Sequence, residues 1–320
     1  MSEPNQRSAP NAAPLVLDAQ TPLPDMLAVV AGERAVVLDA ACEDRIAAGS
    51  AALAREMAAG RQIYGITTGF GPLIGETVDA NQADQHQRHL LYHLATGTGP
   101  PFARREVRAI MLVRLVTLTQ GFSSVSWPVA AGLRDALNGH VTPCVPERGT
   151  VGASGDLTPL AHMALALTGE GTCLGAHGLV PASVELEAAG LAPLPLSRRD
   201  ALALVNGTAA MTGLALTNGA DASGALERSL QLALLHGEVL HAEREAWHPA
   251  LSRCRGHEGQ SWIADQLWQR SEDSQTLNPA GPRYHGEAPL QQDPYSIRCM
   301  PQLLGAVRDQ WAHHQRILER

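Results

Sequence analysis

The chain has 320 residues; 45% of them are hydrophobic, only 4% are aromatic, and the formal net charge is −8. This length can bury a sizeable core in one domain or two, and the excess of Leu and Ala over aromatic residues favours helices over sheets. An acidic chain without a basic run is not expected to bind nucleic acid, and no stretch approaches the roughly 20 apolar residues that span a bilayer. The composition therefore indicates an acidic, mainly α protein without a nucleic-acid or membrane partner.

The cysteines indicate the compartment. There are five of them, an odd number, and they are scattered along the chain without a Cys-x-x-Cys pair. Such spacing argues against a disulfide framework and against a zinc site, and it suits a reducing compartment. The polar start of the chain, rich in Ala and Pro, does not resemble a signal peptide. We therefore expect a cytoplasmic protein with no metal site.

The first quarter of the chain predicts a tail, two helices and a loop. Residues 1–20 are polar and rich in Pro, so we expect a mobile tail there. Asp39 is a candidate N-cap for a helix that ends near residue 60. Residues 64–75 hold too many glycines for a helix interior and predict a loop. A second helix is expected to begin with Asp79 as its cap and to end at Leu94.

The middle of the chain predicts further helices. Residues 104–120 are strongly apolar and predict a buried helix, and Pro128 suits the first turn of another that ends at Asn138. The run that ends at Asp200, Ser-Arg-Arg-Asp, resembles a capping box with Asp in place of Glu, ahead of a helix that reaches residue 205.

The end of the chain predicts a long helix, a loop and a last helix. Residues 208–246 are compatible with a helix almost throughout, whereas residues 271–294 contain four prolines and predict a loop. The last helix is expected from Tyr295 to Arg320, with Pro301 in its first turns or at a kink.

The most distinctive run lies at residues 149–160, Gly-Thr-Val-Gly-Ala-Ser-Gly-Asp-Leu-Thr-Pro-Leu. It contains the triplet Ala153, Ser154 and Gly155, and Pro159 suits the first turn of a helix that follows. Because Gly155 has no Cβ, its amide nitrogen can approach the carbonyl carbon of Ala153. A bare Ala-Ser-Gly triplet is more often a small-residue turn at the start of a helix, so the triplet alone does not indicate a function.

Three further blocks accompany this run: Tyr-Gly-Ile-Thr-Thr-Gly-Phe-Gly at 64–71, Leu-Val-Asn-Gly-Thr at 204–208, and Gln-Asp-Pro-Tyr-Ser-Ile-Arg at 292–298. Together the four blocks resemble the aromatic amino-acid ammonia-lyase family, which comprises histidine, phenylalanine and tyrosine ammonia-lyases and related aminomutases. The blocks occur in the family's order and cover nearly all of the chain after the first two dozen residues.

The resemblance implies a fold and a domain organisation. We expect a mainly α, aspartase/fumarase-like helical bundle with an N-terminal prosthetic-group domain. That domain is expected at 21–205, after the tail at 1–20, and a central helical bundle is expected at 206–320, truncated at its C-terminal end. Family members are homotetramers of about five hundred residues, so we expect this chain to be a fragment whose assembly and activity need not match those of the full-length enzymes.

The resemblance also implies a prosthetic group. Ala153, Ser154 and Gly155 are expected to form 4-methylidene-imidazol-5-one autocatalytically, by ring closure and by dehydration of the serine. This electrophile turns the substrate amine into a good leaving group, and the start of the following helix would favour negative charge on it. Asp156 is expected to assist ring formation, although alone it is typical of an acidic residue at a helix N-terminus, and Leu157 is expected to contact substrate.

A base is needed for the β-proton of the substrate, and the resemblance assigns Tyr64 to it. A phenol is protonated at neutral pH unless its surroundings stabilise the phenolate, so a lone Tyr-Gly pair more often packs a loop against a core. The match of the whole block at 64–71 favours the catalytic role. Its glycines suit a lid over the substrate, and Gly71 is expected to contact substrate.

A carboxylate clamp completes the expected site. An Arg fork binds a carboxylate with two parallel, charge-assisted hydrogen bonds, and Arg298 lies three residues after Tyr295, on one face of a helix. An isolated Arg more often forms a surface salt bridge. The resemblance implies that Arg298, Tyr295 and Gln292 hold substrate, and that the amide of Asn206 faces the substrate carboxylate and the prosthetic group.

Substrate preference is expected to depend on His93 and Leu94. In the family, tyrosine enzymes carry His-Leu at this place, phenylalanine enzymes Phe-Leu, and histidine enzymes a His one position later. An imidazole can hydrogen-bond the phenol of tyrosine, and a polar group left unpaired disfavours phenylalanine. Histidines are common in this stretch, however, since His86 and His89 precede it.

The sequence therefore predicts a carbon–nitrogen lyase that converts L-tyrosine to trans-4-coumarate and ammonia. Several alternatives remain open: a phenylalanine or histidine ammonia-lyase, a tyrosine aminomutase that returns the amine to the β-carbon, and a truncated, non-catalytic homologue that serves as an interaction subunit.

Overall fold

The computed structural model describes residues 13–79, 82–277, 284–285, 288–289 and 292–320. The chain divides into two compact units, of which the first extends to Thr217 and the second begins at Asn218. Each unit has its own hydrophobic core. The sequence predicted a domain that carries the prosthetic group at 21–205 and a helical bundle at 206–320. These domain limits stay a prediction.

The first unit is mainly helical. Its helices are α1 (Leu23–Ala31), α2 (Ala40–Ala58), α3 (Ala83–Leu94), α4 (Arg104–Thr119), α5 (Trp127–Asn138), α6 (Leu157–Leu167), α7 (Ala182–Ala188), α8 (Asp200–Val205) and the first part of α9 (Ala209–Val239). Short strands pair locally: β1 (Leu15–Val16) runs parallel to β2 (Val36–Val37), whereas β3 (Thr98–Pro101) with β4 (Pro146–Arg148) and β5 (Thr172–Gly175) with β6 (Gly178–Pro181) are antiparallel.

Helix α4 forms the centre of this unit. Its apolar side chains Ile110, Met111 and Leu115 are fully buried, and it packs against α1, α2 and α5. Burying one such side chain contributes about 1.5–3 kcal/mol, so a helix that is apolar on most sides must lie inside the core. Two arginines of α4, Arg108 and Arg114, are nevertheless buried with it.

The second unit contains the rest of α9, then α10 (Pro249–Arg253), α11 (Glu258–Arg270), β7 (Tyr284–His285) paired with β8 (Ala288–Pro289), α12 (Tyr295–Arg298) and α13 (Met300–Leu318). Helices α11 and α13 approach closely, since a Cβ on Gly305 would lie 2.4 Å from the Cα of Gln260. Trp247 is fully buried, and its indole Nε1 donates to the carbonyl of Ile297 at 2.9 Å.

Most predicted helices are confirmed. Asp39 caps α2, where its carboxylate accepts a hydrogen bond of 2.8 Å from the Cys42 amide. The apolar segment at 104–120 is the buried helix α4, and Pro128 lies in the first turn of α5. The mainly α fold class is likewise confirmed.

Several boundaries differ from the prediction. The end of the 1–20 tail is ordered, because β1 pairs with β2 and Leu17 is only 1% exposed; residues 1–12 lie outside the described part. Gln82, and not Asp79, occupies the N-cap position of α3. Helix α9 ends at Val239, and the last helix is divided between α12 and α13, with Pro301 in the first turn of α13.

The predicted capping box is present in part. The Asp200 carboxylate accepts hydrogen bonds from the Ser197 amide at 2.9 Å and from the Ser126 amide at 2.7 Å, but the helix itself begins at Asp200. The loop predicted at 271–294 lies partly outside the described residues. Among those that are described, no helix is both long and apolar enough to cross a membrane, and all five cysteines are free.

Candidate active site

A cavity of about 750 Å³ opens within the first unit. Its walls are the loop at 64–73, one face of α3, the start of α6 and the end of α8. Residues that the sequence predicts for the site line it together: Tyr64, Gly71, His93, Leu94, Ser154, Leu157 and Asn206. Segments far apart in sequence therefore bring most of the predicted groups to one place.

The triplet lies where α6 begins. Ser154 lines the cavity and is exposed, while Gly155 has a φ of +118°, a conformation that L side chains rarely adopt. A Cβ on Gly155 would also lie 2.3 Å from the carbonyl oxygen of Gly207, which backbone atoms cannot accommodate. Only glycine fits this position, as a ring closure through its nitrogen requires.

Asp156 is buried behind the triplet. Its amide donates to the Gly207 carbonyl at 2.7 Å, and its carboxylate accepts from the Met211 amide at 2.7 Å. Met211 belongs to the first turn of α9, where amides have no partner within the helix and carry partial positive charge. The carboxylate therefore neutralises the start of α9, whereas it makes no side-chain cap on its own helix α6.

Tyr64 lines the same cavity. The residue is 44% exposed, and its ring meets Phe70 edge to face, with 6.1 Å between the centroids. The Gly71 amide donates to its phenol oxygen at 2.9 Å. The loop thus turns back on itself and presents the phenol to the cavity.

Helix α3 supplies a histidine face. His86, His89 and His93 all line the cavity, at the spacing of one helix side. His86 stacks on Phe70 with 4.3 Å between centroids and 8° between planes, and burial lowers its pKa. His93 lies in the last turn of α3 and is exposed on the cavity wall, next to Leu94.

The remaining predicted residues belong to the second unit. The Arg298 guanidinium donates to the Gln292 side-chain oxygen and lies 4.9 Å from the centroid of the Tyr295 ring. Tyr295 is 75% exposed. These three side chains therefore lie together, and the described residues give the guanidinium no carboxylate partner.

Two buried residues of the site escaped the sequence reasoning. Gln87 donates to the Gly65 carbonyl at 2.9 Å and accepts from the Leu202 amide at 3.3 Å, so it joins the Tyr64 loop, α3 and α8. Arg114 donates to the carbonyls of Ala203 and Asn206 at the end of α8. Arg114 had one signal, a charged side chain within an apolar helical run, whereas Gln87 lies among polar residues and had none. No group of His, Cys, Asp or Glu in the described part could hold a metal ion.

The family model for aromatic amino acid lyases matches residues 22–320. Among curated proteins, the tyrosine ammonia-lyase of Cereibacter sphaeroides is 42% identical over 94% of this chain and 60% of its own length. The histidine ammonia-lyase of Symbiobacterium thermophilum is 38% identical over 95% of this chain and 59% of its own length.

A solved structure supports the same relationship. The phenylalanine aminomutase of Pantoea agglomerans superposes with a TM-score of 0.86 at 29% identity, covering 96% of this chain and 61% of that one. This likeness confirms the helical lyase fold implied by the sequence. The chain spans about 60% of the length of these relatives, and it belongs to the aromatic amino acid lyase family.

Proposed function

We propose that the protein is a tyrosine ammonia-lyase that eliminates ammonia from L-tyrosine to give trans-4-coumarate. The observation that carries the proposal is the placement of Tyr64, Ser154 and His93 around one cavity. The 42% identity to a protein named tyrosine ammonia-lyase supports the choice of substrate. Elimination breaks the bond from the α-carbon to nitrogen and removes a β-proton, so an electrophile and a base must meet at the substrate.

We assign the electrophile to 4-methylidene-imidazol-5-one formed from Ala153, Ser154 and Gly155. The backbone fits this group, because the space beside Gly155 excludes any side chain and Ser154 faces the cavity. When formed, the group would supply an electrophilic carbon that activates the substrate amine as a leaving group.

Tyr64 is assigned to the β-proton. Tyr64 lines the cavity, and its oxygen accepts a hydrogen bond from the Gly71 amide that fixes its position. Phe70 fixes the ring from the side, so the phenol has a defined direction. The proton taken from the substrate would remain on this oxygen until ammonia leaves.

Recognition of the amino-acid end is assigned to Arg298, Asn206, Gln292 and Tyr295. The Arg298 guanidinium contacts an amide oxygen and an aromatic ring, which leaves further donors for a substrate carboxylate. Leu94, Leu157 and Gly71 line the apolar part of the cavity. Such surfaces pack against an aromatic ring.

His93 is assigned to the far end of the substrate. An imidazole on the cavity wall can hydrogen-bond the phenol of tyrosine. With phenylalanine bound, the imidazole would lose its water and gain no hydrogen bond in return, which disfavours that substrate. His86 and His89 line the same cavity. The preference for tyrosine follows from the pairing of His93 with the phenol.

Assembly and location are part of the proposal. Leu232, Leu235 and Val239 are exposed along one side of α9, as expected for a surface that packs against other helices in a homotetramer. The five free thiols suit the reducing cytoplasm.

The test is turnover of L-tyrosine, L-phenylalanine and L-histidine by the purified chain, with the products separated and identified. We expect coumarate from tyrosine and much less cinnamate from phenylalanine. β-Tyrosine as the main product would identify an aminomutase, and urocanate would identify a histidine enzyme. No product from any of the three would contradict a catalytic role for this chain and favour the non-catalytic homologue.

A further inference from the structure

Arg114 is a buried cation directly behind the cavity. It is 2% exposed, and its guanidinium donates to the carbonyl oxygens of Ala203 and, at 3.0 Å, of Asn206. Burial lowers its pKa to about 10, so it remains charged at neutral pH. Both acceptors lie at the C-terminal end of α8, where free carbonyls carry partial negative charge and stabilise a cation.

The turn that Arg114 holds continues into the triplet. Gly207 follows Asn206, and its carbonyl accepts the Asp156 amide at 2.7 Å. A Cβ on Gly207 would lie 2.5 Å from Arg114 Nη1, and a Cβ on Gly155 would lie 2.3 Å from the Gly207 oxygen. Arg114, the turn at 206–207 and the backbone at 155–156 are therefore stacked in direct contact, with no side chain between them.

We propose that Arg114 is the positioning residue for the formation of the prosthetic group. By fixing the turn at 206–207, it fixes the Gly207 carbonyl, and that carbonyl holds the Asp156 amide and limits the rotation of Gly155. The triplet then keeps its tight turn while the Gly155 nitrogen attacks the Ala153 carbonyl carbon. This inference rests on the proposed function, since it concerns the group formed from Ala153, Ser154 and Gly155.

The reaction that Arg114 assists needs no further reactant. The Gly155 nitrogen bonds to the Ala153 carbonyl carbon, and one water leaves with the Ala153 oxygen and the amide hydrogens of Gly155 and Ser154. A second water leaves with the α-hydrogen and the hydroxyl of Ser154. The ring and its methylene remain, and no electron acceptor is required. The mass of the protein therefore falls by two waters.

Arg108 offers a matched control on the same helix. It is 6% exposed, and burial also lowers its pKa to about 10. Its guanidinium donates to the carbonyls of Val29, Val30 and Leu137, at distances of 2.6–2.9 Å. Loss of either arginine leaves buried carbonyls without a hydrogen-bond donor. Of the two, only Arg114 contacts the turn at 206–207 that packs against the triplet.

The experiment compares wild type with Arg114→Met, Arg114→Lys and Arg108→Met. Intact mass gives the dehydrated fraction, and hydrogen exchange gives the protection of the Asp156 amide. We expect Arg114→Met to lower the dehydrated fraction several-fold and to speed that exchange by about tenfold or more, because a charged hydrogen bond is lost. Arg114→Lys should lie between it and wild type, and Arg108→Met should match wild type in both.

Equal dehydration and equal Asp156 protection in Arg114→Met and Arg108→Met would overturn the inference. If Arg114→Met does not fold, the comparison uses Arg114→Lys instead. Wild-type dehydration and wild-type Asp156 protection in Arg114→Lys would then overturn the inference. A wild-type protein of undiminished mass would instead refute the proposed function, and the exchange of Asp156 would still show whether Arg114 holds the turn.

Discussion

The two walls of the cavity are held in different ways. On the Ser154 wall, backbone groups are joined to buried partners: Gly207 to Asp156, Asp156 to Met211, and Arg114 to the end of α8. On the Tyr64 wall, the buried Gln87 holds the Gly65 carbonyl, while the exposed Tyr64 side chain is fixed by the Gly71 hydrogen bond and by ring packing against Phe70. Segments with few buried contacts open more readily. The proposed electrophile therefore lies where buried groups fix the backbone, whereas the proposed general base is an exposed side chain that can move more readily.

The Ser154 wall should be the less tolerant of change. In Ser154→Ala the methylene cannot form, because no hydroxyl is available to leave, so turnover of L-tyrosine should fall on the order of 10³-fold or more. The measurement is kcat with a thermal unfolding curve as control. Turnover like that of wild type would contradict the role given to the triplet.

The Tyr64 wall is tested by Tyr64→Phe, which keeps the ring against Phe70 and removes only the hydroxyl. Loss of a general base typically costs about 10²–10⁴-fold in rate, and we expect kcat to fall within that range while KM changes little. Because Tyr64 is 44% exposed, the unfolding curve should stay close to that of wild type. Unchanged kcat would assign the proton transfer to another group.

The histidine face between the two walls controls specificity in this account. His93→Phe should lower kcat/KM for tyrosine relative to phenylalanine by about 10–100-fold, since one hydrogen bond to the phenol is lost and an apolar ring takes its place. His89→Phe is the matched control on the same cavity face and should change the ratio much less. If both variants shift the ratio equally, His93 has no special role.

The smallest effect concerns pH and the contact of the Tyr64 loop with α3. Burial lowers the pKa of His86 from 6.5 in the folded protein. As the pH falls, the His86 imidazole is therefore protonated in the unfolded chain before it is protonated in the folded protein. Its contribution to the free energy of unfolding is fully present above about pH 6.5 and is lost as the pH falls through the folded pKa. Burial also lowers the pKa of His162, whose Nε2 accepts the Gly97 amide at 2.9 Å, so that residue adds to the same loss.

Urea unfolding at about pH 7.5 and about pH 5.5 checks this expectation. The loss of unfolding free energy between the two conditions should be smaller in His86→Leu than in wild type, by less than about 1 kcal/mol. His89→Leu, at an exposed position, serves as control and should show the wild-type loss. An identical loss in His86→Leu would contradict the buried, neutral state of His86.

Much of the fold was accessible from the sequence because local signals agreed with the packing. Asp39 begins α2, and the apolar run at 104–120 becomes the buried α4. The start of α3 was predicted wrongly. Asp79 is a residue type that often caps helices, but the N-cap position is three residues later, at Gln82. The ordered end of the tail also escaped, since the pairing of Leu15 with Val36 is a tertiary contact between short segments.

The motifs in the sequence led to residues that line one cavity, whereas the buried partners that hold these residues were not predicted. Tyr64, Ser154, His93 and Asn206 occur in recognisable blocks, and the fold brings them to one cavity. The partners that fix those blocks come from elsewhere: Gln87 and Arg114 act through backbone carbonyls, and a backbone partner leaves no pattern in the sequence. A charged residue inside an apolar helix was the only available sign of Arg114, and Gln87, among polar neighbours, had no such sign.

The proposed electrophile is tested most directly by the mass of the peptide that contains residues 149–160, isolated from the folded protein and compared with the same peptide from Ser154→Ala. We expect the wild-type peptide to be lighter than its sequence by two waters, and the variant peptide not to lose the water that comes from the Ser154 hydroxyl. A wild-type peptide of full mass would contradict the claim that this wall of the cavity carries the electrophile.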